Sequence, residues 1–160
     1  MPSRPPLLQT FGLTPPRKRL RQAWIAVRGA DWGDLRVPMA LGAGVLLWVT
    51  GFDVIYACQD AEADRALGLH SIPARLGVRR ALHVAALLHA LCIVAFGAVA
   101  SLAGLGWIYL AAVVLAAVLL VAEHSIVSPT DLSRVNAAFF TVNGIVALIL
   151  GAAGIVDVLL

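Results

Sequence analysis

The stretch GFDVIYACQDAEADRALGLHSIPARLG, residues 51–77, joins an apolar run to a charged loop. It contains four of the nine acidic residues: Asp53, Asp60, Glu62 and Asp64. At about 100° per residue on an α-helix, Asp60 lies about 20° behind Asp53 and Asp64 about 20° ahead, whereas Glu62 points elsewhere. Like charges at this spacing destabilise a helix. Placing a carboxylate near the hydrocarbon of a membrane costs more free energy than this repulsion. This acidic stripe therefore predicts a bound cation.

The rest of the chain contains apolar runs long enough to cross a bilayer. Hydrophobic residues make up 61% of the sequence, more than an ordinary soluble domain carries. The predicted spans are about Val37–Gln59, Ala81–Leu102, Trp107–Ala122 and Val135–Val156. We therefore predict an all-α fold, a polytopic transmembrane helical bundle of about four spans. The basic residues flank these spans or lie in the N-terminal tail, which gives no indication of nucleic-acid binding.

Charge divides the chain into two predicted parts and gives an orientation. Residues 1–22 are rich in proline and basic side chains and are predicted to be a disordered tail, while residues 23–160 form the membrane domain. Four spans place seven basic residues on the tail side and five on the other. Without the tail the balance is two against five, which predicts that the acidic loop faces the cytoplasm.

Turn and packing signals follow the acidic stripe. Gly68 is predicted to end a helix, Leu67–Ile72 to form an ordered non-helical connection, and Ser71 to cap the turn after it. The short uncharged link at residues 100–106 predicts a tight turn between antiparallel helices. Three small residues of the first span are predicted to allow close helix packing: Gly42, Gly44 and Gly51.

Polar residues inside the predicted spans have two interpretations, packing or ligand binding. His83 and His89 lie roughly 120° apart on a helix, so they do not easily share a metal, and packing is the favoured interpretation. Asn136 and Asn143 are expected to form interhelical hydrogen bonds, with site lining as the alternative. An interfacial polar role is predicted for Glu123, His124 and Asp131.

The chemistry that fits the stripe is that of a magnesium diphosphate. Mg²⁺ keeps several waters and takes oxygen ligands from few carboxylates and from phosphates, so Asp60 and Asp64 would suffice from the protein. Nearby arginines are expected to bind the same phosphates, and four follow the acids: Arg65, Arg75, Arg79 and Arg80, of which the last two are equally well explained as membrane-flanking residues. The adjoining apolar spans favour a hydrocarbon tail. The predicted substrate thus has a diphosphate head at the interface and a chain in the bilayer.

These residues resemble a known family. The D-x-x-x-D motif of Asp60–Asp64, preceded by Asp53 and Tyr56 and followed by GLHSIPARLG at residues 68–77, is similar to the second aspartate motif of the UbiA family of membrane prenyltransferases. The segment DLSRVNAAFFTVNG at residues 131–144 also resembles bacterial members. The resemblance extends from Ala23 to the C-terminus.

The resemblance implies a nine-helix, Mg²⁺-dependent enzyme of the bacterial inner membrane that transfers a polyprenyl group from its diphosphate to a small aromatic acid. It implies that Asp60 and Asp64 bind Mg²⁺-diphosphate, that Arg65 and Arg75 contact phosphate, and that Asp53 positions the acceptor or a water molecule. The implied acceptor is 4-hydroxybenzoate, for ubiquinone. A dihydroxynaphthoate, for menaquinone, is the alternative.

The chain also departs from the family pattern. The first aspartate motif, N-x-x-x-D-x-x-x-D, is absent from the 160 residues. We therefore expect the chain to correspond to the C-terminal four of nine helices, to be a truncated form, and to have little activity alone. CDP-alcohol phosphotransferases fit less well because Ala61, not glycine, follows Asp60. A membrane transporter or a structural subunit is the non-enzymatic alternative.

Overall fold

The computed structural model describes residues 35–133 and 135–160, apart from the side chains of residues 137–139. The tail predicted at residues 1–22 lies outside the described residues. In chain order the helices are α1 (Arg36–Ala57), a 3-10 helix (Cys58–Asp60), α2 (Ala61–Ala66), α3 (Ile72–Leu76), α4 (Val78–Ala103), α5 (Trp107–Ile126) and α6 (Val135–Leu159).

Four segments are long and apolar enough to cross a membrane: Arg36–Ala66, Val78–Ala103, Trp107–Ile126 and Phe140–Leu159. At 1.5 Å per residue, a 20-residue segment measures about 30 Å, the thickness of a bilayer's hydrocarbon core. The prediction of four helical spans is confirmed. The helices begin or end a few residues beyond the predicted limits, because polar residues at a span end can continue the helical hydrogen bonding into the interface.

Small residues bring α1 and α4 together, and this pair has the most extensive contact among the helices. A Cβ at Gly44 would lie 2.7 Å from the Phe96 ring, and a Cβ at Gly51 would overlap the His89 ring. Both glycines therefore permit an approach that a larger residue would block. No described residue lies within 4 Å of the equivalent position at Gly42, so the packing role expected for it stays a prediction.

Two clusters of buried side chains hold the helices together. One includes Phe52, Phe96 and Tyr109 and joins α1, α4, α5 and α6. The other lies nearer the acidic loop, where Cys58 of the 3-10 helix and Val127 pack against α4. Cys58 and Cys92 are buried free thiols, as expected for small apolar residues. Large apolar side chains such as Val94 and Val121 remain exposed, as lipid-facing positions require.

The link between α4 and α5 is a tight turn, as predicted. Gly104 has a φ of 69°, a left-handed conformation that glycine adopts without steric cost, and the Leu105 N–H donates to the Ala100 carbonyl at 2.9 Å. The Asp157 carboxylate of α6 accepts a hydrogen bond from the Tyr109 N–H at 3.1 Å. This bond satisfies one of the unpaired amides at the start of α5 and ties the ends of two helices together.

Candidate functional site

The acidic stripe is not carried by one continuous α-helix. After Ala57 the chain forms the 3-10 helix Cys58–Asp60 and then α2. A 3-10 helix turns by about 120° per residue rather than about 100°, so its three residues rotate α2 by roughly 60° more than the sequence predicted. Asp53 therefore departs from the line predicted for the three carboxylates. Asp60 and Asp64 remain four residues apart, at the spacing of neighbours on one face.

The two aspartates differ in their surroundings. Asp60 is exposed and ends the 3-10 helix, with a φ of −99° and a ψ of 6° that separate it from the α-helices on either side. Asp64 lies in α2 and is half-buried. Glu62, between them, is exposed. An exposed carboxylate beside a half-buried one provides oxygen atoms that an ion can reach from the loop side.

The turn after α2 is fixed by its own backbone. Gly68 has a φ of 69°, the Leu69 N–H donates to the Asp64 carbonyl at 2.8 Å, and the Gly68 N–H donates to the Arg65 carbonyl at 3.3 Å. This pair of bonds is the Schellman motif, which satisfies carbonyls at a helix end. The predicted C-cap at Gly68 is confirmed, and the backbone of Asp64 is held directly by it.

The next turn is capped by Ser71, as predicted. Its Oγ accepts a hydrogen bond from the Ala74 N–H at 3.2 Å, and Pro73 occupies the first turn of α3, where a missing N–H costs nothing. The non-helical connection is slightly shorter than predicted, because Ile72 already belongs to α3. Ser71 therefore fixes where α3 begins and where Arg75 lies.

Arg65 and Arg75 both come from this loop, and both are exposed. The Arg65 Nε–H donates to the Ala74 carbonyl at 3.2 Å, which joins α2 to α3. With Nε used in this way, the Nη groups of Arg65 remain as donors for an anion. Arg75 lies in the last turn of α3. The loop thus brings two guanidinium groups to the segment that carries Asp60 and Asp64.

Asp53 belongs to a different place, a cavity of about 210 Å³ beside α1. The cavity is lined by Trp48, Val49, Phe52 and Asp53 of α1 and by Asn143 of α6. Trp48 Nε1 and Asn143 Oδ1 are buried without a hydrogen-bond partner among the described residues. Asn143 Oδ1 therefore makes no interhelical hydrogen bond to a described residue, and Asn143 lines the cavity. The surface that lines this cavity is almost entirely apolar, because the two unpaired polar atoms are enclosed by protein.

Sequence reasoning missed a cluster of polar groups in the middle of the bundle. His89 of α4 is 2% exposed, and its Nδ1 lies 3.0 Å from Nε2 of His124 on α5. Its Nε2 lies 3.2 Å from the Trp48 carbonyl oxygen. The packing interpretation of His89 is confirmed. The interfacial role predicted for Glu123 is wrong, because this side chain is 1% exposed and its Oε2 has no hydrogen-bond partner among the described residues.

A second cavity, of about 540 Å³, lies toward the opposite ends of the helices. Its lining comes from α1, α4, α5, α6 and the α4–α5 turn and includes Val45, Phe96 and Leu150. Among the residues that the structure describes, no charged side chain lines it. Such a space accepts hydrocarbon rather than a phosphate group, so the apolar and ionic features of the molecule lie at different depths.

The carboxylates fit a metal that needs few protein ligands. Within the described part of the chain, no group of three or more His, Cys, Asp or Glu side chains is arranged to hold a metal ion. Zinc sites ordinarily need three or four such ligands, whereas Mg²⁺ binds through one or two carboxylates together with water and phosphate. Asp60 and Asp64, with Arg65 and Arg75 close in sequence, have the composition of a site for a magnesium-bound phosphate.

Comparison with known proteins gives three further findings. The chain is 31% identical over 88 residues to the polyprenyl transferase atnF of Arthrinium sp; the match covers 54% of this chain and 28% of that protein. No solved structure matches the chain. The model of the UbiA prenyltransferase family matches residues 22–145, which include the acidic loop and all four long apolar helices in whole or in part. The chain is an integral membrane protein and belongs to the UbiA prenyltransferase family.

Proposed function

We propose that the chain takes part in Mg²⁺-dependent transfer of a polyprenyl group from polyprenyl diphosphate to a small aromatic acid. The observation that carries the proposal is the position of Asp60 and Asp64: they lie at the polar end of a segment otherwise apolar enough to span a membrane. A substrate with a charged head and a hydrocarbon tail fits this boundary. The name of the Arthrinium relative, a polyprenyl transferase, supports the same reaction.

Asp60 and Asp64 would hold Mg²⁺ together with diphosphate oxygens, and the ion would neutralise negative charge on the leaving diphosphate. The Nη groups of Arg65 and the guanidinium of Arg75 donate hydrogen bonds to the same phosphates. The Schellman motif at Gly68 and the Ser71 cap keep these four side chains on a defined backbone. Charge stabilisation that is in place before the bond breaks lowers the barrier to its cleavage.

Asp53 is assigned to the acceptor end of the reaction. It borders the 210 Å³ cavity together with two aromatic side chains, Trp48 and Phe52. An aromatic ring packs favourably against such walls. The carbon–oxygen bond to diphosphate breaks, a carbon–carbon bond to the ring forms, and the ring loses a proton.

The acceptor we propose is 4-hydroxybenzoate, in ubiquinone synthesis, with a dihydroxynaphthoate in menaquinone synthesis as the alternative. We further propose that the protein lies in the bacterial inner membrane with its acidic loop toward the cytoplasm. The excess of basic residues on the loop side, once residues 1–22 are set aside, supports this orientation.

The proposal is tested by measuring binding of geranylgeranyl diphosphate to the purified full chain in detergent, with Mg²⁺ or with EDTA. We expect binding only with Mg²⁺, and at least a 100-fold loss of affinity in Asp60→Asn/Asp64→Asn. Glu62→Gln is the matched control because it removes an exposed acid of the same segment, and it should change affinity by less than twofold. Equal binding by the double variant and the wild type would overturn the assignment.

A further inference from the structure

His89 makes specific contacts with one turn of α1. Its Nε2 lies 3.2 Å from the Trp48 carbonyl oxygen, its ring occupies the space that a Cβ at Gly51 would need, and its ring centroid lies 4.6 Å from that of Phe52 in an edge-on arrangement. These contacts cover positions 48, 51 and 52, which form one helical face. The imidazole therefore constrains the height and the rotation of α1 against α4.

The hydrogen bonds of His89 have a direction. A carbonyl oxygen only accepts, so His89 Nε2 carries the proton donated to Trp48. A charged ring inside a membrane span is costly, so the ring is neutral and its Nδ1 is an acceptor. His124 Nε2 then donates to it across 3.0 Å. The hydrogen bonds therefore run from α5 through α4 to α1: the Trp48 carbonyl fixes the tautomer of His89, and the bond from His124 holds the ring in the same orientation.

The same turn of α1 also forms part of the wall of the Asp53 cavity. Trp48 and Phe52 line that cavity, and their rings contact each other edge-on with centroids 5.7 Å apart. His89 itself is absent from the lining. Its two contacts, with the Trp48 backbone and the Phe52 ring, restrain these two lining residues although His89 does not face the cavity.

We propose that His89, oriented by His124, is a positioning residue that holds Trp48 and Phe52 in place as the wall of the Asp53 cavity. The inference rests on the proposed function insofar as that cavity receives the aromatic acceptor. It implies that replacing His89 weakens binding of the aromatic acceptor and leaves binding of the prenyl diphosphate unchanged. Asp60 follows Trp48 by 12 residues and ends the 3-10 helix that comes after α1.

The test uses the full chain in detergent with Trp24, Trp32 and Trp107 replaced by phenylalanine, so that only Trp48 fluoresces. Three quantities are measured: quenching of Trp48 by acrylamide, quenching by 4-hydroxybenzoate, and Mg²⁺-dependent binding of geranylgeranyl diphosphate. His89→Phe keeps an aromatic ring but removes both hydrogen bonds, and His89→Gln restores a donor toward the Trp48 carbonyl. His83→Phe is the matched control, an exposed histidine on the same helix.

We expect His89→Phe to raise the acrylamide quenching constant at least twofold and to weaken 4-hydroxybenzoate binding at least fivefold. Diphosphate affinity should stay within twofold of the wild type. His89→Gln should bring both the acrylamide quenching constant and the 4-hydroxybenzoate affinity most of the way back to the wild-type values. His83→Phe should resemble the wild type. If His89→Phe does not fold, His124→Phe is used instead. It keeps the bond to the Trp48 carbonyl but removes the donor to His89 Nδ1, so it should show the same pattern at smaller amplitude.

Two results would overturn the inference. Unchanged Trp48 quenching in folded His89→Phe or His124→Phe would mean that the histidines do not hold the wall. An equal loss of affinity for 4-hydroxybenzoate and for geranylgeranyl diphosphate would mean that His89 only maintains the fold. A wild-type chain that binds neither probe would contradict the proposed function, and the acrylamide comparison would still decide whether His89 positions Trp48.

Discussion

The acidic segment, residues 53–77, and the histidine cluster, which comprises His89, His124 and the α1 turn of Trp48, Gly51 and Phe52, use polar groups in opposite ways. In the acidic segment Asp60, Arg65 and Arg75 are exposed, and the backbone carries most of the local order. In the cluster, both nitrogens of His89 are bonded to other helices. Polar groups left at a surface can bind a ligand, whereas polar groups bonded across helices specify how those helices pack.

The largest effect is expected from Gly51→Ala, which breaks the histidine cluster. The new Cβ would overlap the His89 ring, and that ring cannot move aside without losing its bonds to Trp48 and His124. Overpacking of this kind costs about 1–3 kcal/mol. The loss of stability is measured by thermal unfolding in detergent. The control is Gly42→Ala, where no described residue lies within 4 Å of the new Cβ and better helix propensity should raise stability by up to about 1 kcal/mol. Equal melting temperatures for the two variants would contradict the packing described.

A smaller effect is expected from Gly68→Ala, which breaks the backbone order of the acidic segment. Alanine in the left-handed conformation at a φ of 69° costs about 1–2 kcal/mol. The loss should be local, because this turn is exposed. Hydrogen exchange of the Leu69 amide, which donates to the Asp64 carbonyl, should accelerate at least fivefold while amides of α4 keep their rates. Gly97→Ala, a helical glycine with open space around it, should leave Leu69 unaffected.

The smallest effect is expected from Ser71→Ala, which removes the cap of α3 and costs about 1 kcal/mol or less. Exchange of the Ala74 amide should accelerate a few-fold, and Ser71→Asp, which retains an acceptor oxygen, should restore its protection. Because Arg75 follows this cap, diphosphate affinity should fall by less than threefold. A loss as large as that of the aspartate double variant would mean that loop order, rather than the carboxylates, dominates binding.

Local patterns in the sequence were sufficient for much of this structure. The four spans follow from apolar runs, and the caps at Gly68 and Ser71 follow from the conformational preferences of single residues. The aspartates and arginines of the loop were found for the same reason, since all of them lie within 16 residues of one another along the chain. Their spacing predicts proximity without knowledge of any other helix.

Features that depend on two distant segments were missed. His89 and His124 are 35 residues apart, and His89 and Trp48 are 41 apart, so no periodicity relates them. Glu123 was expected at the interface because it ends an apolar run, but neighbouring helices bury it. The predicted stripe uses one α-helical rotation per residue from Asp53 to Asp64. The 3-10 helix at Cys58–Asp60 adds rotation, so Asp53 does not line up with the other two aspartates.

The central claim is that Asp60 and Asp64 bind a divalent ion together with diphosphate. Its most direct test replaces Mg²⁺ with Mn²⁺ and follows the electron paramagnetic resonance signal of the free ion as the chain is added. The account predicts that the signal falls only when the wild-type chain and geranylgeranyl diphosphate are both present, beyond what the diphosphate binds alone, and that Asp60→Asn/Asp64→Asn abolishes this additional loss. An equal loss with the double variant would contradict it.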